Sequence, residues 1–207
     1  SNCKGYELFF GIDALDRRIH KINKLLNPLI DKKVFSLRNK YIKKFGFAKE
    51  IVVGLTENKF EGSIDPGKTI FSLKKKLGSL SVDCYFSTEV ESFEETSKKI
   101  YLKLKSSNQS IDIKTNKLVI CTNAFAKKWF DMEDISPGRG FILLTNKIPD
   151  LKINGCFHYN GGYYYFRNIG NRLLLGGGRE IDIKNETTYS FGINSRIRQK
   201  LIEDLKR

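Results

Sequence analysis

The sequence is poor in the residues that build metal sites and poor in punctuation. It has four prolines, one methionine, one tryptophan, two histidines and four cysteines in 207 residues. Cys3, Cys84, Cys121 and Cys156 stand far apart, with no C-x-x-C pair, and His20 and His158 each stand alone. That spacing excludes the usual zinc modules, and no metal site is expected. Cys84 and Cys121 fall in apolar stretches and read as buried thiols. Such thiols fit a reducing compartment, so a cytoplasmic location is expected. No run approaches the roughly 18 continuous apolar residues of a membrane span, so no transmembrane segment is expected. The first residues, Ser1-Asn2-Cys3-Lys4, include no methionine and no apolar leader, and the last residues stop inside a helical pattern. Both ends read as cuts within a longer protein.

What is present is charge and apolar bulk. The formal net charge is +14, while 40% of residues are hydrophobic and 12% aromatic. That composition excludes wholesale disorder. A charge of this size could serve nucleic acid or an anionic surface. Yet the basic residues are interleaved with acids from Lys4 to Arg207, and no zinc-finger, RNP or helix-turn-helix pattern accompanies them. The densest run, Lys74-Lys75-Lys76, reads as a solvated helix face. No sequence-specific nucleic-acid partner is expected, and a stand-alone basic binding module remains the alternative reading.

Apolar residues at Leu15, Ile19, Ile22, Leu25, Leu26 and Leu29 predict a helix over 13–30, with Asp13 as N-cap and Pro28 bending or ending it. A second helix is expected within 35–47 and a strand over 50–55. Asp65-Pro66-Gly67-Lys68 opens the clearest helix, with Asp65 as N-cap, Pro66 in the first turn, Ile70, Leu73 and Leu77 as its buried stripe, and Gly78 as its stop. Short strands are expected at 82–86, 89–94, 99–105, 110–114 and 117–122, a meander returning through a buried strand. Asn123-Ala124-Phe125 follows that strand and leads into a helical turn. It reads equally as a crevice lining and as an ordinary turn. Pro137-Gly138-Arg139-Gly140 leads into a strand over 141–145. Asn194 or Ser195 caps a final helix with Ile197, Leu201, Ile202 and Leu205 on one face.

The richest stretch is Asn160 to Glu180. Tyr163, Tyr164, Tyr165 and Phe166 suit a pleated surface, with Tyr163 and Tyr165 on one face and Tyr164 and Phe166 on the other. Ile169-Gly170-Asn171 supplies a turn. Leu173-Leu174-Leu175 then reads as a strand buried on both faces. Gly176, Gly177 and Gly178 present bare backbone that a flat ligand or another strand could approach. Arg179, just past the glycines, and Arg139 could each reach an anionic group. Two readings stand, a pocket wall and a plain hairpin with a glycine bulge.

Several of these segments, in this order, resemble the FAD-dependent D-amino acid oxidase and glycine oxidase superfamily. They are Gly62-Ser63-Ile64-Asp65-Pro66, Ser87-Thr88-Glu89-Val90-Glu91, Leu118-Val119-Ile120-Cys121-Thr122-Asn123-Ala124-Phe125, Pro137-Gly138-Arg139-Gly140, and Tyr163-Tyr164-Tyr165-Phe166-Arg167 with Leu173-Leu174-Leu175-Gly176-Gly177. The family's G-x-G-x-x-G turn and its C-terminal W-x-G segment are absent, and Asn123 stands where the family usually has glycine. The resemblance implies the central part of a flavoenzyme with an α+β fold. A mixed, largely antiparallel substrate-domain sheet with flanking helices would be joined to part of an FAD-domain meander. Residues 1–63 and 133–207 would form the substrate domain and 64–132 the partial FAD-binding domain. Val90, Thr122, Asn123, Ala124, Arg139, Gly140 and Gly177 would approach the cofactor. Tyr163, Tyr165 and Arg179 would face a small amine or amino-acid substrate, and no side chain is identified as a catalytic base. FAD is expected in the full-length protein and not in this piece, which on its own is expected to be inactive.

Overall fold

The computed structural model describes residues 3–11, 15–131 and 134–206. In chain order the elements are β1 Gly5–Phe9, α1 Leu15–Leu26, β2 Phe35–Leu37, α2 Tyr41–Phe45 and β3 Gly54–Asn58. Then come α3 Pro66–Ser79, β4 Thr88–Glu95, β5 Ile100–Ser106 and β6 Gln109–Thr115. The last are β7 Ile142–Leu144, β8 Cys156–Tyr159, β9 Tyr164–Ile169, β10 Arg172–Gly177, α4 Ile183–Glu186 and α5 Ser195–Lys206. The chain divides into two compact units, one of Ser1–Ile64 with Ser136–Arg207, the other of Asp65–Ile135. The expected N-cap Asp13 lies outside the described residues.

The first unit is built on a seven-stranded sheet of order β2-β3-β1-β8-β9-β10-β7. Only the β1–β8 pair is parallel, so the sheet is mixed and mostly antiparallel, as the α+β reading expects. One row of the register runs straight across it: Ser36, Glu57, Tyr6, Phe157, Phe166, Leu175, Leu143. Side chains in such a row share a face and touch their neighbours. Phe157 stacks on Phe166 with centroids 4.8 Å apart and on Tyr6 at 4.9 Å, and Phe45 of α2 meets both Tyr6 and Phe157 edge-on at 5.0 Å. Ile197 and Leu201 of α5 are fully buried and belong to the same core. Asn194 accepts from the backbone N–H groups of Arg196 (3.1 Å) and Ile197 (3.3 Å), so the expected cap forms.

Glu57 is the charged member of that row and is 2% exposed. It accepts from Lys4 Nζ at 2.7 Å, Arg38 Nε at 2.8 Å and the Tyr6 hydroxyl at 3.4 Å. Burial pushes its carboxyl up, but the hydrogen bonds from Lys4 and Arg38 outweigh burial and hold it below the ordinary range. Burial, and then the Glu57 charge, push the Tyr6 phenol up to about 12.

The second unit carries the meander. β4, β5 and β6 form a three-stranded antiparallel sheet, with a bulge between Val90 and Ser92. The N-terminus of α3 matches the sequence reading: Asp65 accepts from Lys68 N at 3.0 Å, and Pro66 opens the helix.

Several expectations are corrected. The apolar stripe of α3 is not buried: Ile70 is 58% exposed, and Leu73 and Leu77 are open too. The runs 82–86 and 117–122 are not strands, because no strand among the described residues pairs with them and a strand's hydrogen bonds lie with its neighbours. Cys84 and Cys121 lie on these runs and are exposed. The strand expected at 50–55 forms at 54–58, where Leu55 and Glu57 fit the core face. The helix expected within 35–47 is split, because β2 pairs with β3 before α2 begins. The first helix stops at Leu26, short of Pro28. Leu175 is buried, but Leu173 and Leu174 are only half-buried, so β10 is not covered on both faces.

Truncating Phe157 to alanine removes the ring on which the cross-sheet row turns. A loss of about 3–5 kcal/mol of stability is expected, readable by urea denaturation. Glu57→Gln should destabilise by about 1–3 kcal/mol at neutral pH. Because the folded-state carboxyl of Glu57 lies below its unfolded value of about 4.3, this contribution is fully present above that pH and lost as the pH falls through the lower folded value. The difference between native protein and variant should therefore shrink in acid, as followed by thermal melts across pH.

Candidate functional site

The two faces of the large sheet differ. One carries the aromatic core. On the other, a second row of the register runs Thr56, Glu7, His158, Tyr165, Gly176, Ile142. Its neighbouring row runs Gly5, Cys156, Arg167, Leu174, Leu144. Tyr165, Ile142 and Leu144 are exposed here, an apolar sheet surface edged with a polar tip.

Strand alternation sets this surface. Tyr164 and Phe166 point into the core and are buried, while Tyr165 lies on the open side; Tyr163, just before the strand, closes the short turn Asn160–Gly162 and is exposed. Arg167, two residues beyond Tyr165, shares the open face and donates from Nη1 to the carbonyl of Ile64 at 3.1 Å. His158 stands opposite Tyr165, and its Nδ1 is buried without a hydrogen-bond partner among the described residues. On the core side, burial and then a hydrogen bond to Glu180 raise the Tyr164 phenol. Burial and then Asp204, 2.7 Å from its hydroxyl, raise that of Tyr159.

The glycine run has a specific use. A side chain at Gly176 would meet the hydroxyl end of the Tyr165 ring at 2.6 Å, so that ring lies over the strand. Gly177 has φ +115°, and a Cβ there would overlap the carbonyl of Tyr163. Gly178 N donates to that same carbonyl at 3.1 Å. Gly176 and Gly177 thus bring β10 against Tyr163 and Tyr165. Of the bare backbone read from the sequence, that at these two positions is covered by the protein's own tyrosines.

The two arginines singled out in the sequence lie beside each other, with partners. Arg139 donates to Glu186 through Nε (2.9 Å) and Nη2 (2.8 Å), and through Nη1 to the Ser190 carbonyl at 3.0 Å. Asn194 donates to Glu186 at 2.9 Å and to Asp182 at 3.0 Å, which ties this fork to the cap of α5. The hydrogen bond from Arg139 holds Glu186 below the ordinary carboxylate range, and the same bond holds the guanidinium up. Arg179 lies 3.0 Å from where a Gly138 side chain would start and donates from Nη2 to Thr187 at 3.2 Å. Gly140 is exposed, with open space where a side chain would begin.

In the second unit, Thr122 leads into the 3₁₀ turn Asn123–Lys128, and Asn123 is left-handed at φ +51°. Lys128, at the end of this turn, reaches Glu89 at 2.7 Å and the Val90 carbonyl at 3.4 Å. Trp129 packs on Phe93 at 5.5 Å. Val90 and the Thr122–Ala124 segment are therefore on adjoining elements. Sequence reading did not pick out Arg167, His158 or Glu7. Arg167 could have been found by continuing the alternation from Tyr163 and Tyr165. The other two depend on strand register.

The open face suits a planar group. The Tyr165 ring lies over the backbone at Gly176, and exposed apolar side chains lie on the same face. With this geometry in place the class of protein is clear. The profile of the FAD-dependent oxidoreductase family DAO matches residues 4–207. The chain belongs to that family, as its motifs imply.

Solved structures carry the same fold. L-proline dehydrogenase from P. horikoshii superposes with a TM-score of 0.73 at 18% identity, over 100% of this chain and 57% of its own. Glycine oxidase from Bacillus cereus ATCC 14579 gives 0.75 at 13% identity, over 99% and 56%. L-amino acid deaminase from Proteus vulgaris gives 0.64 at 13% identity, over 86% and 42%. At such identities the likeness is one of fold. The chain spans little more than half the length of the first two. Among curated proteins, none matches the sequence. No described helix is long and apolar enough to cross a membrane.

Gly177→Ala should cost about 1–3 kcal/mol, since it places a side chain at a positive φ and against the Tyr163 carbonyl. Gly140→Ala, into open space, should stay within about 0.5 kcal/mol of the native protein. Chemical denaturation of the two variants in parallel checks both.

Proposed function

We propose that this chain is the substrate-domain-containing part of an FAD-dependent oxidoreductase that oxidises an amine or amino acid, with its open sheet face turned to the substrate. The observation that carries this reading is the face itself: Tyr165 and Arg167 on one side of β9, with exposed Ile142 and Leu144 on the same side of the sheet, in a chain of the DAO family. L-proline dehydrogenase, glycine oxidase and L-amino acid deaminase share the fold, and each name points to an amino acid.

The FAD held by the family's enzymes would supply the hydride acceptor for such a substrate. The chain's own part is to bind, orient and exclude water. A phenol and a guanidinium can fix a carboxylate by charge-assisted hydrogen bonds. Tyr163, Tyr165 and Arg179 are assigned to that task, with Arg167 as the guanidinium on the same face as Tyr165. A substrate amine that arrives neutral needs no base for hydride transfer. Val90, Thr122, Asn123, Ala124, Gly140 and Gly177 are assigned to the cofactor by the family motif. Arg139 acts beside it by holding α4 and the cap of α5 in place. The parts of the two units are assigned accordingly, the first to substrate and the second to FAD.

The test is the full-length protein. It should carry flavin absorbance that bleaches anaerobically with a small amino acid or secondary amine. Protein without flavin, or flavin unmoved by any such compound, overturns the reading. In that enzyme, Tyr163→Phe should raise KM for a carboxylate substrate by roughly tenfold or more, which corresponds to about 1.5–3 kcal/mol, with kcat much less affected. Steady-state kinetics measure both.

A further inference from the structure

Two cysteines that are remote in sequence meet on the open face. Cys3 Sγ lies 3.9 Å from Cys156 Sγ and donates to Ser63 Oγ at 3.1 Å. The register explains the meeting. Gly5 of β1 pairs with Cys156 of β8, and Cys3 lies two residues before Gly5, on the same side. Gly5 has no side chain to separate them, and Cys156 N donates to the Lys4 carbonyl at 3.2 Å, holding the two backbones together. Arg167 is the register partner of Cys156 on its other side, and Glu61 is also near. Both cysteines are partly exposed, so a small oxidant can reach them.

We propose that Cys3 and Cys156 form a reversible redox pair, which closes to a disulfide when a peroxide reaches the open face. The sulfurs must approach from 3.9 Å to about 2.05 Å. Burial, the largest effect, together with Cys3 and Glu61, raises the Cys156 thiol, while Arg167 lowers it. Cys156 is thus the thiol that resolves, and Cys3 the one that reacts first. The Cys3 thiolate attacks one oxygen of hydrogen peroxide, the O–O bond breaks, and the departing hydroxide takes a proton to become water. Cys156, giving up its proton, then attacks Cys3 Sγ. The S–O bond breaks and a second water leaves. Two thiols are oxidised and one peroxide is reduced. The bond would fasten the start of β1 to β8, beside Arg167 and one strand from Tyr165. The proposal stands on this geometry and not on the flavin reading.

The test oxidises the native protein and the C84S/C121S variant with hydrogen peroxide, blocks remaining thiols with iodoacetamide and digests without reduction. The two replaced cysteines are exposed, so the variant keeps the fold. Expected from both proteins is a linked peptide joining Cys3 to Cys156, two hydrogens lighter than its parts and lost on treatment with dithiothreitol. In a C156S variant the linkage should vanish and Cys3 should instead progress to sulfinic acid. Full alkylation of Cys3 and Cys156 after oxidation of the C84S/C121S protein, or separate over-oxidation of each without a link, overturns the proposal.

Discussion

Strand β1 opens the described chain and β8 comes late in it, and between them the chain builds an entire second unit. Every other pairing in the large sheet is antiparallel, leaving β2-β3-β1 on one side of this junction and β8-β9-β10-β7 on the other. The parallel β1–β8 ladder is what makes the two groups one sheet. It closes a long loop, so its entropic cost must be met by contacts that form only when it closes. Tyr6 stacked on Phe157, with Phe45 against both, supplies them. Glu57 sits at the flank of the same row, where Lys4 and Arg38 balance its buried charge.

The two faces of the sheet follow from this junction. Once Tyr6, Phe157, Phe166 and Leu175 share the core side, alternation sends Glu7, His158, Tyr165 and Gly176 to the other. The open face is therefore not a separate construction. It is the complement of the core, and what it carries is whatever occupies the alternate positions. Tyr165 and Arg167 are there because Tyr164 and Phe166 are needed inside. Cys3 and Cys156 meet there because the parallel register sets Gly5 opposite Cys156.

Glycine and arginine show how a motif can be read correctly while its physical role differs from first appearance. Gly176 and Gly177 were legible as places of close approach. What approaches them in the fold is the ring of Tyr165 and the carbonyl of Tyr163, a contact that fixes the tyrosines. Arg139 was legible in the sequence as a charge without a visible partner. Its fork on the buried Glu186 makes it a support for α4 and for the cap of α5. A sequence displays the charge and cannot display the partner, which lies 47 residues away.

Where the determinants are local, the sequence by itself was sufficient. The Asp65-Pro66 helix start, the Asn194 cap, the β4–β6 meander, the hairpin at Gly170-Asn171 and the opposite facing of Tyr165 from Tyr164 and Phe166 each rest on residues within a few positions of one another. The ordered motifs likewise carried the family. Tertiary structure decided what depends on a distant partner. The apolar run 117–122 has strand composition but no strand beside it, the stripe of α3 has helical spacing but nothing among the described residues that buries it, and Cys84 and Cys121 are exposed on segments read as buried. Glu7 beside His158, Glu57 between Lys4 and Arg38, and Cys3 against Cys156 are likewise products of register. The reason is the same in each case: periodicity specifies which face a side chain takes, while the pairing of strands far apart in sequence specifies what it meets there.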